Sequence, residues 1–160
     1  MTVRIRADAG ADFEALYRLD QKCYEPGVAY SRGTLRAFLG EPGVFCRVAE
    51  ETGGPHAGVM LGFLVAQQHQ RQGHIITVDV PEAHRRRGIA SLLLRDAEQK
   101  LQKAGVLKIS LETAVDNAPA VAFWKKHGYC TCGVLRRYYN GKTDAYQMTK
   151  TISPGSAAKS

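Results

Sequence analysis

Val78-Asp79-Val80-Pro81-Glu82-Ala83-His84-Arg85-Arg86-Arg87-Gly88-Ile89-Ala90 is the stretch on which the fold turns. A short apolar strand stops at Pro81, crosses a basic loop and enters a helix that Gly88 opens. The first turn of a helix carries amide N–H groups without internal partners and the positive end of the dipole. An anion docks at such an end. Gly88 and the small Ala90 let a ligand approach the backbone, and Arg85 to Arg87 add positive charge, so a diphosphate fits better than a lone carboxylate. No Gly-Lys-Ser/Thr follows the glycine, which excludes a P-loop, and no Gly-x-Gly-x-x-Gly is present.

Outward from this junction the chain resolves into alternating patterns. Before it, Val3 to Ala7 alternates as a strand. Asp12 is expected to cap a helix whose apolar face includes Phe13, Leu16 and Tyr17 and which ends at Glu25-Pro26-Gly27. Ser31 caps a second helix, closed by Glu41-Pro42-Gly43. Strands follow over 44–50, 59–68 and 74–80 as an antiparallel meander. After the junction, Gly88 to Ala104 is a helix with Ile89, Leu92, Leu93, Ala97 and Leu101 on one face, stopped by Gly105. A strand over 106–112, a helix over 117–127 and strands over 129–137 and 145–152 complete the order β-α-α-β-β-β-α-β-α-β-β. The helix between the fourth and fifth strands implies a parallel crossover in an otherwise antiparallel sheet. The class is therefore α/β with a mixed sheet, in one domain over 1–152 with a disordered tail over 153–160.

A chain of 160 residues buries a core without disulfides or metals. No apolar run reaches the length of a membrane span, and the N-terminus is too polar for a signal peptide. The four cysteines, Cys23, Cys46, Cys130 and Cys132, match no zinc or redox spacing. Free thiols in a reducing cytoplasm are expected, with no metal and no membrane. The formal charge of +7 favours an anionic partner without naming it. No basic stripe interleaved with aromatics is present, so nucleic acid is not expected as a partner.

Arg-x-x-Gly-x-Ala after a strand and before a Leu-rich helix resembles the acetyl-CoA motif of the GNAT superfamily, and the element order is similar to that fold along nearly the whole chain. The resemblance implies acetyl-CoA as cofactor. It implies backbone contacts from Val78, Asp79 and Val80 to the pantetheine arm, freed by a bulge or splay in that strand. It places the pyrophosphate on Arg86, Arg87, Gly88, Ile89, Ala90 and Ser91, and Asn117 on the pantetheine. From sequence alone Asn117 is equally a helix N-cap, and both roles are compatible.

Three further segments resemble the ribosomal-protein-alanine and other protein N-terminal acetyltransferases. They are Leu111-Glu112 running to Asn117-Ala118-Pro119-Ala120, Ala122-Phe123-Trp124 running to Gly128-Tyr129, and Tyr138-Tyr139 followed by Asp144-Ala145 and Met148. Cys23-Tyr24 with Tyr30-Ser31 is a weaker echo. That resemblance implies transfer of an acetyl group to a primary amine, the N-terminal α-amine of a protein, by direct attack on the thioester. A protein or peptide N-terminus is then the partner, and the enzyme a monomer or weak dimer. Glu112 is implied as the general base, acting through water. An α-amine, with a pKa near 8, needs only a weak base, whereas a lysine needs a stronger one. Glu25, Tyr30, Tyr138 and Tyr139 are implied to line the acceptor groove. Adjacent strand residues face opposite ways, so only one of the two tyrosines is expected to touch substrate. Where the family has an acidic tyrosine, this chain has Trp124, whose indole donates a hydrogen bond without being a usable acid. Trp124 is thus a contact on the thiolate side or a core residue. A GNAT acting on a small amine or a lysine side chain, and a non-catalytic CoA-binding module, are the alternatives.

Overall fold

The computed structural model describes residues 2–153. The tail expected over 153–160 lies outside these residues except for Ser153, whose carbonyl accepts from Gln102 Nε2 at 2.9 Å. The elements follow the expected order: β1 Val3–Ala7, α1 Phe13–Cys23, α2 Arg32–Gly40, β2 Val44–Glu51, β3 Met60–His69, β4 Gln72–Asp79, α3 Ile89–Lys103, β5 Lys108–Ala114, α4 Ala118–Lys126, β6 Cys130–Tyr139 and β7 Thr143–Thr151. Strand ends shift by a residue or two, as loop hydrogen bonds rather than apolar patterning set them.

One seven-stranded sheet has the order β1-β2-β3-β4-β5-β7-β6. Among the described residues only β4 and β5 run parallel, joined by the α3 crossover; every other pair is antiparallel. β7 inserts between β5 and β6. Apolar residues pack on both faces. Leu61, Leu64, Ile75, Leu93, Leu101, Leu111 and Trp124 form one cluster on the α3 and α4 side. Leu16, Leu19, Leu35, Val48, Phe63 and Val65 form the other beneath α1 and α2. β3 is buried on both faces, and from Phe63 to Ala66 successive residues go alternately to the two clusters, as period-2 side chains require.

Two irregularities make the site. β4 pairs with β5 only over Gln72–His74 against Lys108–Ser110, and the strands part beyond that point. In the same region the register of β3 on β4 shifts between Val65 and Ala66, leaving Ile76 as the extra residue. The bulge reverses the facing of β4. Gly73 and Ile75 look toward α3, whereas after the bulge Thr77 and Asp79 look toward α1.

Three sequence expectations are corrected here. Asp12 precedes α1 but makes no side-chain cap; its carboxylate takes the Ala9 N–H at 2.7 Å and the Arg6 guanidinium at 2.8 Å, a charged partner outcompeting a helix amide. The buried face of α1 is not wholly apolar, because Asp20 is fully buried with Leu16 and Leu19. Finally, both tyrosines of β6 turn to the same cleft. The register on β7 passes from Leu135↔Ala145 straight to Tyr139↔Thr143, with Arg137 at a φ of 53°. The widened bulge cancels the alternation, and Asp144 Oδ1 pins it by accepting the Arg137 N–H at 2.8 Å.

Candidate active site

The parted strands open a cleft of about 570 Å³. Tyr24, Glu25 and Tyr30 line it from the loop after α1, and Tyr138 and Tyr139 from the end of β6. Val78, Val80 and Glu112 lie along its length, with Asn117 and Trp124 on the α4 side. All four residues expected in the acceptor groove therefore share one cavity with the expected base. The two β6 rings meet edge to face, with centroids 4.9 Å apart.

At the fork where β4 leaves β5, Glu112 Oε1 lies 2.8 Å from His74 Nε2. Facing a carboxylate, that ring nitrogen donates. Tyr138 Oη donates to the same oxygen at 3.5 Å, the long end of a hydrogen bond. Burial and the Glu112 charge raise the Tyr138 phenol, which stays a protonated donor. Burial, then the neighbouring Tyr138, push Tyr139 up to about 12. His74 was missed from sequence: a lone histidine in a strand carries no motif, and only its place at the end of the parallel pairing gives it meaning.

The strand-to-helix junction forms the second half of the site. Gly88 caps α3 at a φ of 76°, and Arg86 is also left-handed at 64°. Left-handed residues alternating with others turn successive N–H groups into a concave anion cradle. A Cβ on Gly88 would meet nothing within 4 Å, so the space before the helix is open. Ile89 is 1% exposed and packs in the core, so only its backbone faces an anion. Ser91 Oγ is 2.9 Å from His127 Nε2, and the Arg87 guanidinium reaches Glu51 at 3.2 Å. Arg85 folds back and donates from Nε to the Val80 carbonyl at 2.9 Å. Asn117 Oδ1 accepts the Ala120 N–H at 3.2 Å and so caps α4, as one of its two expected roles requires. Trp124 is 7% exposed and meets Phe123 and Tyr129 edge to face at 5.1 and 5.3 Å, so it packs in the core while its edge lines the cleft.

A diphosphate with a slender, amide-bearing arm fits these features: a cradle of amides at the helix start, then a strand edge released by the splay. All four cysteines are free, and no helix among the described residues is long and apolar enough to cross a membrane.

The sequence matches the profile of the Acetyltransferase (GNAT) family over residues 13–129. The chain belongs to this family, the class of enzymes that move an acetyl group from acetyl-CoA to an amine nitrogen. An N-alpha-acetyltransferase of Sulfurisphaera tokodaii is 35% identical over 83 residues, covering 51% of this chain and 50% of that protein. The catalytic subunit NAA20 of the N-terminal acetyltransferase B complex of Arabidopsis thaliana is 31% identical over 112 residues, 68% of this chain and 63% of its own. This chain thus spans about half to two thirds of the length of those relatives. The ribosomal protein bS18-alanine N-acetyltransferase of Escherichia coli K12 is 26% identical over 145 residues, 89% and 93% of the two chains. Among solved structures, Ard1 from Thermoplasma volcanium superposes with a TM-score of 0.84 at 26% identity, covering 96% of this chain and 99% of that one. A chain of the NatC complex bound to Gag peptide and CoA gives 0.81 at 24% identity, over 96% and 100%, a likeness of fold.

Proposed function

We propose that this chain transfers an acetyl group from acetyl-CoA to the N-terminal α-amine of a protein or peptide, with Glu112 as the base. The observation that supports this most is the cluster at the fork, where Glu112, His74 and Tyr138 converge inside a cleft walled by tyrosines. When bound, acetyl-CoA supplies the thioester carbonyl that the amine attacks and the sulfur that departs.

Glu112 takes the amine proton through a water, and His74, held by the same carboxylate, steadies the pair as charge moves. Backbone amides of Val78, Asp79 and Val80 would hold the arm of the cofactor. Those of Arg86, Arg87, Gly88, Ile89, Ala90 and Ser91 would hold its pyrophosphate, with Asn117 on the α4 side of the arm. Trp124 offers at most a hydrogen bond to the departing sulfur. A thiol has a pKa near 8.5, so its thiolate leaves without a strong acid beside it.

The acceptor class rests on shape and base strength. Glu25, Tyr30, Tyr138 and Tyr139 line one cleft, which an extended peptide backbone fits, with phenols as hydrogen-bond partners. A carboxylate base suits an α-amine better than a lysine. Relatives named for N-terminal acetylation support the same reading. Free thiols fit a cytoplasmic setting. Acetylation assays over peptides that differ in their first two residues, with a lysine-only peptide beside them, test it.

A further inference from the structure

Asp20 on α1 and Asp79 at the end of β4 are both 0% exposed. Their carboxyl groups are neighbours, and Asp20, after burial, raises Asp79 by its proximity. Each keeps one buried oxygen, Asp20 Oδ1 and Asp79 Oδ2, that no protein N–H or O–H reaches among the described residues. No ion pair among the described residues involves either group. Two ionised carboxylates in contact, without water or a cation, carry both repulsion and desolvation. One proton held between the two facing oxygens removes both penalties and satisfies both atoms.

The outer oxygens lead to the cleft. Asp20 Oδ2 accepts the Tyr30 backbone N–H at 2.7 Å. Asp79 Oδ1 accepts from Thr77 Oγ1 at 2.5 Å, and that hydroxyl lies 3.2 Å from Tyr24 Oη. Tyr24 and Tyr30 both line the acceptor side of the cleft. The other titratable groups around the pair are Cys23 and Tyr24 from α1 and its end, Tyr30 from the following loop and Cys46 from β2. Burial pushes the Cys23 thiol up to about 12 and raises the other three, so all four stay neutral near pH 7. From β3 the residue opposite Asp79 is Phe63. Two cations bear on these groups: Arg85, on Cys23, which donates to the Val80 carbonyl, and Arg47, on Cys46, which is paired with Asp96.

We propose that Asp20 and Asp79 are positioning residues that share one proton and act as a unit, Asp20 holding Tyr30 by its backbone and Asp79 holding Tyr24 through Thr77. The role in acceptor binding rests on the function proposed above; the shared proton does not. Losing that proton places two like charges in contact. The relief is to part α1 and segment 24–31 from β4, which loosens the acceptor wall and leaves the α3 cradle untouched.

The sign of the pH dependence follows. Burial, then the facing carboxyl, hold the Asp79 proton well above the usual carboxylate range. Above about pH 5 the unfolded chain has both groups ionised, while the folded chain keeps one proton. The folded state therefore binds more protons, and stability falls as pH rises until the pair itself ionises.

Thermal and denaturant unfolding of the full chain from pH 6 to 9 reads this directly. Relative to Asp79→Asn, whose amide donates to Asp20 with no proton to lose, the wild-type folding constant is expected to fall by up to about tenfold per pH unit. Parallel pH curves for the two proteins overturn the shared proton. In peptide kinetics, Asp20→Ala is expected to raise KM several-fold with acetyl-CoA affinity unchanged. Asp20→Asn, which still accepts from Tyr30 and donates toward Asp79, is expected to restore it. A wild-type KM in Asp20→Ala, or an alanine defect that asparagine leaves in place, overturns the positioning role. Failure of the wild-type chain to acetylate any peptide removes the acceptor reading, and the unfolding curves still decide the pair.

Discussion

His74 Nε2 lies 2.8 Å from Glu112 Oε1 at the point where β4 and β5 separate. His74 is the last β4 residue in register with β5, opposite Ser110, and Glu112 follows Ser110 on the same face of its strand. The fork that opens the cleft therefore also brings these two ionisable side chains together. Half-exposed histidine and mostly buried glutamate sit with the imidazole toward solvent.

Glu112→Gln is expected to lower kcat by about a hundredfold or more while leaving acetyl-CoA affinity unchanged, the cost of losing a positioned base. His74→Gln is expected to lower kcat less, and the double variant to be little worse than Glu112→Gln alone, because residues acting as a unit are not additive. A wild-type rate in Glu112→Gln at pH 7 removes that residue from the mechanism. Additive losses in the double variant separate His74 from it.

Gly88→Glu is expected to abolish acetyl-CoA binding. Gly88 is left-handed at 76° with open space before it, so the substitution strains the backbone and sends a negative side chain where phosphate docks. Calorimetry that finds unchanged affinity contradicts the cradle.

Asp144→Ala is expected to raise the peptide KM several-fold with acetyl-CoA affinity intact. Its carboxylate holds the Arg137 N–H, and with it the bulge that turns Tyr138 and Tyr139 together. Asp144→Asn keeps an accepting oxygen and is expected to behave as wild type. Equal KM values for the alanine variant and wild type detach the bulge from acceptor binding.

The element order, the parallel crossover and the strand-to-helix junction were legible in the sequence, because period-2 and period-3.6 patterning and Gly88 report them locally. Alternation failed wherever a bulge intervened. At Ile76 it reverses the facing of β4, so nothing in Thr77-Val78-Asp79 announces that Asp79 meets Asp20. At Arg137 it puts both tyrosines on one side, against the expectation from strand alternation that adjacent residues face opposite ways. A bulge depends on cross-strand partners distant in sequence, and a single chain carries no local sign of it. Asp12 misled for a related reason: its competitor for the helix amide, Arg6, comes from a separate element. His74 was silent because its partner stands on another strand.

Trp124→Tyr separates packing from chemistry. Trp124 is mostly buried against Phe123 and Tyr129, so the smaller ring is expected to cost about 1–3 kcal/mol of stability. At a temperature where both proteins are folded, the rate is expected to equal or exceed that of wild type, since a phenol can give the departing sulfur a proton. A variant that melts like wild type yet loses activity makes Trp124 itself a substrate or cofactor contact and overturns this account of thiolate departure.

The central claim, acetylation of an N-terminal α-amine, is tested most directly on one peptide carrying both a free N-terminus and an internal lysine. The peptide is incubated with the chain and acetyl-CoA, and the acetylated nitrogen is located by fragment mass spectrometry. The account predicts acetate on the N-terminal nitrogen, lost in Glu112→Gln. Acetate on the lysine alone, or none on a panel varied in its first two residues, contradicts it.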